Sequence, residues 1–178
     1  MGIGEQEPLD RTAFEQVVAE YADRLYGVAL RITGSSPDAE DAVQEAFLSA
    51  FRSLRRFRGE ANPHTWLYRI TVNAALQRVR ERRPQEYLDD SIGPVRPSGD
   101  WSASVEDAAT AAELRERVEV ALGRLPPDYR TAVILRDVEG LSTVEAAQVL
   151  EIGEAALKSR LHRGRILLRQ YLDEYLQG

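Results

Sequence analysis

The stretch Leu141–Leu172, LSTVEAAQVLEIGEAALKSRLHRGRILLRQYL, decides how the chain is read. Ser142 with Glu145 three positions on has the spacing of a capping box, in which each side chain accepts a hydrogen bond from the other residue's backbone N–H. A short helix therefore opens at Ser142, with Ala147 and Leu150 on its buried side. Glu151, Ile152 and Gly153 form a tight turn, and a longer helix that becomes basic follows. Two helices joined in this way make a helix-turn-helix, which lays its second helix into the DNA major groove. On that second helix Leu157, Leu161, Gly164 and Leu168 share one face, while Ala155, Ser159 and His162 point the opposite way, flanked by Lys158 and Arg163. From Lys158 to Arg169 there are five Lys/Arg and no acid, which suits a phosphate-lined groove. A helical hairpin with a solvated basic face has the same charge pattern, but not the same coincidence of cap, turn and charge.

A length of 178 residues leaves room for one ordinary domain or two small ones. No stretch approaches the roughly 18 to 20 apolar residues of a membrane span. The opening MGIGEQEPLD is acidic and polar, unlike a signal peptide. Without cysteine there are no disulfides, thiolate metal sites or cysteine nucleophiles, and two distant histidines make a poor zinc site. The expectation is a cytoplasmic protein with no membrane insertion, no metal and no cofactor. The net charge of −6 conceals a division. Residues 1–51 carry −7, residues 52–83 carry +7, residues 84–111 carry −5 and residues 112–178 carry −1. Such segregation suggests separate basic and acidic surfaces for different partners, although clustering on solvated helices gives the same balance.

Helical periodicity runs through the rest. Phe14, Val17, Val18, Tyr21, Leu25, Val28, Ala29 and Ile32 form a stripe that Gly34 ends. Ser36 is expected to cap the next helix, with Pro37 first and Asp38, Glu40 and Asp41 where the helix dipole favours acids. Residues 57–64, FRGEANPH, read as a loop, and a third long helix runs from Thr65 to Arg83. Residues 85–108, rich in Pro, Gly and acids, read as a flexible linker. Helix resumes near Ala109, and after Pro126-Pro127 another runs from about Asp128 to Val138. The fold expected is all-α: two small helical bundles, residues 10–84 and 109–176, with the helix-turn-helix in the second.

In the stretches DAEDAVQEAFLSAF (38–51), FRGEANPHTWLYRITVNAAL (57–76), LPPDYRTAVILRDVEGLS (125–142) and LKSRLHRGR (157–165), the chain resembles extracytoplasmic-function sigma factors, minimal members of the primary-sigma family. The resemblance covers nearly the whole chain, and it implies a promoter-specificity subunit of RNA polymerase that performs no chemistry itself. It places Asp38, Glu40, Asp41, Gln44 and Glu45, with Phe47, Leu48 and Phe51 nearby, against the clamp helices of the polymerase beta-prime subunit; the helix dipole alone would also account for the acids. The C-terminal domain would meet the beta subunit flap.

The basic block then corresponds to the part that opens the −10 element and holds its non-template strand. Arg58, Arg69, Arg78 and Arg80 would supply charge; Asn62, His64 and Asn73 would offer hydrogen bonds to base edges. Trp66 and Tyr68 would offer stacking faces, worth about 1–3 kcal/mol per base, although both also suit a core. For the −35 element the groove candidates are Ala155, Lys158, Ser159, His162 and Arg163, with Arg160 and Arg165 on phosphates. The acidic linker resembles a segment that threads toward the polymerase cleft, and a plain tether explains it as well. An anti-sigma factor is a further partner that the resemblance implies.

Three places depart from the family pattern: Pro63-His64, where an aromatic and a basic residue are common; Glu151, where the turn usually has glycine; and Ala155-Ala156-Leu157, in place of Gly-Thr-Val. Gly153 offers the turn a different path and a passable N-cap for the next helix. Two other classes of function make different demands. A stand-alone repressor would bind a palindromic duplex without polymerase, and an enzyme would have to use Glu60, His64 or Asp128, which lie in different elements.

Overall fold

The computed structural model describes residues 11–53, 62–82 and 108–176. The expected linker before Ala108, the loop before Asn62 and Arg58 within it lie outside them. Seven α-helices follow in order: α1 (Arg11–Thr33), α2 (Ser36–Ser53), α3 (Pro63–Arg82), α4 (Ala108–Arg124), α5 (Pro127–Val133), α6 (Thr143–Leu150) and α7 (Glu154–Leu176), with a π-helical turn, Ile134–Val138, continuing α5. The fold is all-α, as expected.

Small residues set the packing of the first bundle. The buried side of α2 is Ala39, Ala42, Val43, Ala46 and Ala50, a nearly methyl-only stripe at helical spacing. It lets α1 and α3 approach closely, with Phe14, Leu25, Val28, Ala29 and Ile32 of α1 filling the other side. Helix α3 is different in kind. Thr65, Trp66, Leu67, Tyr68, Thr71, Val72, Ala74, Ala75, Leu76 and Val79 are all buried, more than one face can hold. A helix apolar nearly all round is covered on more than one side. Here α1 and α2 cover one side, and α5 and α6 of the C-terminal bundle cover another.

Several boundaries differ from the sequence reading, each for a local reason. The cap of α2 is Ser35: its Oγ accepts from the Asp38 N–H at 3.4 Å, while Ser36 is already helical. Helix α3 starts at Pro63, because proline suits a first helical turn and Asn62 caps it, its Oδ1 accepting from the His64 N–H at 3.1 Å. Beyond Val133 the ladder widens into a π turn, in which the Glu139 N–H reaches the Ile134 carbonyl at 2.9 Å.

Two residues lock the C-terminal half. Gly164 of α7 sits against α5, where an added Cβ would stand 2.9 Å from Val133 Cγ2 and 3.2 Å from the Tyr129 carbonyl oxygen. Only glycine permits that approach. Arg130, 6% exposed, donates to the carbonyls of Gly123 (2.7 Å), Leu125 (2.8 Å) and Ile32 (2.8 Å). A guanidinium thus satisfies the orphan carbonyls at the ends of both α4 and α1. Its reach to Ile32 joins the two bundles, whose buried residues form one continuous core.

Candidate nucleic-acid interface

The helix-turn-helix is built as its sequence indicates. Ser142 Oγ accepts from the Glu145 N–H at 3.1 Å, and Glu145 Oε2 accepts from the Ser142 N–H at 2.8 Å. That amide, then the Ser142 hydroxyl, holds the Glu145 carboxyl below its usual pKa. Helix α6 ends with Glu151 in the left-handed region, φ 53° and ψ 40°, and the Ile152 N–H closes back on the Ala147 carbonyl at 3.1 Å. The departure from glycine is therefore tolerated as strain of roughly 1–2 kcal/mol. Gly153 does not divert the turn; its carbonyl accepts the Leu157 N–H at 3.0 Å as α7 begins.

On α7, Leu157, Leu161, Gly164 and Leu167 face inward, while Ala155, Lys158, Ser159, His162 and Arg163 are exposed. The opening turns thus present a small, polar and cationic face to solvent. The flanking arginines are held from behind. Asp128 of α5 pairs with Arg160 at 3.1 Å, and Asp137 takes Arg165 through two bonds of 2.6 and 2.9 Å, which raise the Arg165 pKa. The Tyr129 hydroxyl meets Arg163 at 3.2 Å. Sequence reading missed this rear support, since Asp128, Tyr129 and Asp137 lie about thirty positions from their partners and no periodicity links such distances.

The second cluster of candidates, on and before α3, is distributed unevenly. Asn62, Asn73 and Arg80 are exposed, and Arg69 and Arg78 are half-buried. Asn62 is partly spent as the α3 cap, and Arg78 pairs with Glu45 at 3.1 Å. His64 is wedged between the rings of Tyr21 and Tyr68, at 4.9 and 4.6 Å between centroids. Burial, and then the nearby Arg24 charge, lower its pKa. Trp66 is 7% and Tyr68 0% exposed, so neither offers a stacking face in this arrangement; both are core. The Tyr68 hydroxyl donates to Glu139 at 2.6 Å, and burial followed by that carboxylate push its pKa above the usual phenol range.

The acidic candidates line α2. Asp41, Gln44 and Leu48 are exposed, Phe47 is half-buried, and Phe51 projects beside them at 50% exposure. Asp41, Gln44, Glu45, Leu48 and Arg52 line an open groove of about 710 Å³. Glu40 bonds Ser36 Oγ at 3.3 Å, and Asp38 is tied to Arg82 at 2.6 Å, while Arg82 also donates to the Thr33 carbonyl. Asp38–Arg82 and Glu45–Arg78 thus pin α2 to α3, so part of the segregated charge is spent internally. Among the described residues no cluster of His, Cys, Asp and Glu could hold a metal, and no helix is long and apolar enough to cross a membrane.

An acidic, partly apolar helix, a basic one and a helix-turn-helix, in that order, match known proteins throughout. The family model "Sigma-70 region 2" matches residues 17–85, and "Sigma-70, region 4" matches residues 115–168. The ECF RNA polymerase sigma factor SigW of Bacillus subtilis is 34% identical over 171 residues, 93% of this chain and 91% of SigW. The ECF RNA polymerase sigma factor SigM of Mycobacterium tuberculosis is 38% identical over 165 residues, 92% of this chain and 79% of SigM. The sigma factor RpoE from Bartonella quintana, solved in complex with the anti-sigma factor NepR, superposes with a TM-score of 0.67 at 25% identity, over 90% of this chain and 96% of that one. With both regions matched in order and relatives aligned nearly end to end, the chain belongs to the ECF sigma factors of RNA polymerase.

Proposed function

We propose that this chain carries out the family's work with three surfaces: it binds core RNA polymerase through α2, captures the opened −10 strand on and around α3, and reads the −35 duplex with α7. As a sigma factor it directs promoter-specific initiation and is not an enzyme; nucleotide addition belongs to the polymerase, and both act in the cytoplasm. The observation that carries the assignment of surfaces is α7. Its exposed face is cationic and small-featured over its opening turns, and its opposite face is fixed by Leu157, Leu161 and Gly164.

On α2 the groove flanked by Asp41, Glu45 and the exposed Leu48 suits the basic, partly apolar clamp helices of the beta-prime subunit. The C-terminal bundle meets the beta subunit flap. Arg58, Asn62, His64, Arg69, Asn73, Arg78 and Arg80 remain the −10 candidates. Trp66 and Tyr68 act from the core unless the bundles separate. The Bartonella relative was solved with an anti-sigma factor, and a partner of that kind fits this chain as well.

Run-off transcription with purified core polymerase and a promoter library tests the reading. Start-site selection that appears only when the chain is added supports it, and unchanged products reject it. Alanine at Asp41 lowers affinity for core polymerase by about threefold to tenfold, chiefly through the on-rate. Unchanged binding would move the docking surface elsewhere.

A further inference from the structure

One neighbouring helical run grips α7 on both flanks. Successive residues of an α-helix are turned by about 100°. With Leu157 inward, Arg165 therefore falls on one flank beside Lys158, and Arg160 falls on the other next to Arg163. The run from Pro127 through Val138 meets each flank with a carboxylate. Asp128 Oδ2 lies 3.1 Å from Arg160 Nη2. Asp137 accepts from Arg165 Nε at 2.9 Å and from Arg165 Nη2 at 2.6 Å. The two acids differ in what else favours them. Asp128 stands in the first turn, where the helix dipole welcomes an acid with or without an arginine. Asp137 stands near the opposite end of the run, where the dipole opposes an acid, and the paired bonds to Arg165 offset that penalty.

Those bonds decide which edge of the guanidinium is presented. Asp137 occupies the edge that carries Nε, so the Nη1 edge of the planar group lies opposite it, and 53% of the Arg165 side chain is exposed. A planar fork held in this way meets a phosphate from one direction. Phosphate contacts carry no sequence information themselves; they set the register in which base-reading side chains enter the groove. An arginine that swings freely would hold phosphates in several registers. It would strengthen binding to any duplex and blur the choice among them.

We propose that Asp137, acting through Arg165 and aided by Asp128 through Arg160, is a specificity-determining positioning residue for the −35 element. It fixes the register of α7 on the phosphates and lowers affinity for duplexes of other sequence. Neither aspartate needs to touch DNA. The inference rests on the function given above.

Holoenzyme reconstituted from core polymerase and the full chain tests it, on promoters with a randomised −35 element and a fixed −10 element. The unaltered chain transcribes a narrow set. Asp137→Asn broadens that set, lowering the ratio of preferred to random −35 sequences by about threefold to tenfold. A random-sequence duplex then competes about threefold better. Arg165→Lys, which keeps the cation and gives up the paired bonds, broadens the set likewise. In an Arg165→Ala background Asp137→Asn changes the selection no further, because the aspartate works through that arginine. An acid that merely repels phosphates would raise binding to every duplex by one factor and leave the ratio untouched; that result overturns the proposal. So does a selection that Arg165→Lys leaves unchanged, and this variant alone decides the matter if Asp137→Asn does not fold. An unaltered chain with no −35 selection rejects the underlying function, and this inference with it. Selection that is present and survives both substitutions rejects this inference alone.

Discussion

Helices α3 and α7 are the two surfaces proposed to meet DNA, and they are built on opposite plans. Helix α7 buries one side and leaves its opening turns bare, with Lys158, Ser159 and His162 outward. Helix α3 is buried nearly all round, and its candidate aromatics lie in the core. The contrast fits their substrates. A duplex presents a finished groove, which a pre-formed ridge can meet. A captured strand exists only after melting, and the surface for it can stay covered until then.

The largest expected effect falls on the bare helix. Lys158→Ala with Arg163→Ala lowers −35-dependent transcription by about 10- to 100-fold, and run-off assays across a salt series should show the slope reduced by about 2. An unchanged slope would remove both residues from the groove and end the contrast. Next comes the glycine that fixes the posture of α7. Gly164→Ala forces Val133 or the Tyr129 backbone to move, and it should lower stability by about 1–3 kcal/mol in denaturant titrations. An unaltered midpoint would mean that α7 has room to shift.

Smaller effects probe α3. Asn62→Ala removes its N-cap at a cost of about 1 kcal/mol, whereas Asn62→Asp keeps the cap while replacing the amide donors with a negative charge. If the aspartate variant shifts −10 base preference in a promoter library while melting normally, Asn62 reads DNA; if the preference is unchanged, it is only a cap. The smallest effect is a pH dependence. The pKa of His64 lies below 6.5 in the folded chain, through burial first and the Arg24 charge second, against the opposing pull of Glu145, Glu139 and Glu20. The unfolded chain therefore takes up a proton more readily. Stability is complete above pH 6.5 and declines as pH falls from there toward the folded value. His64→Gln should flatten that decline in thermal melts, and an identical slope would show that the wedge between Tyr21 and Tyr68 does not sense charge.

Much of this could be read from the chain. The capping box at Ser142 and Glu145, the inward face through Gly164 and the glycine stop at Gly34 are local patterns, and each stands where periodicity put it. The misplacements were local as well. Asn62-Pro63 looks like a loop breaker until it is seen as cap and first turn, and Ser35 competes with Ser36 one position later. What periodicity does not carry is contact between distant segments. Asp137 with Arg165, Arg130 with Ile32 and Tyr68 with Glu139 join residues 28, 98 and 71 positions apart. One clue was available. The apolar residues of α3 crowd past the width of a single stripe, which implies a second covering layer, and Tyr68 is where that layer meets it.

The widened turn at Ile134–Val138 holds one residue more than an α-helical turn would. Each residue in an α-helix advances the winding by about 100°. Inserting one residue in the regular helix just before it, with no second widening to absorb the extra position, would carry everything downstream round by about that angle. Glu139 would leave Tyr68, and the bidentate hold on Arg165 would be re-aimed. A change of one codon in this segment could therefore redirect the whole proposed −35 reader without touching a single residue proposed to face DNA.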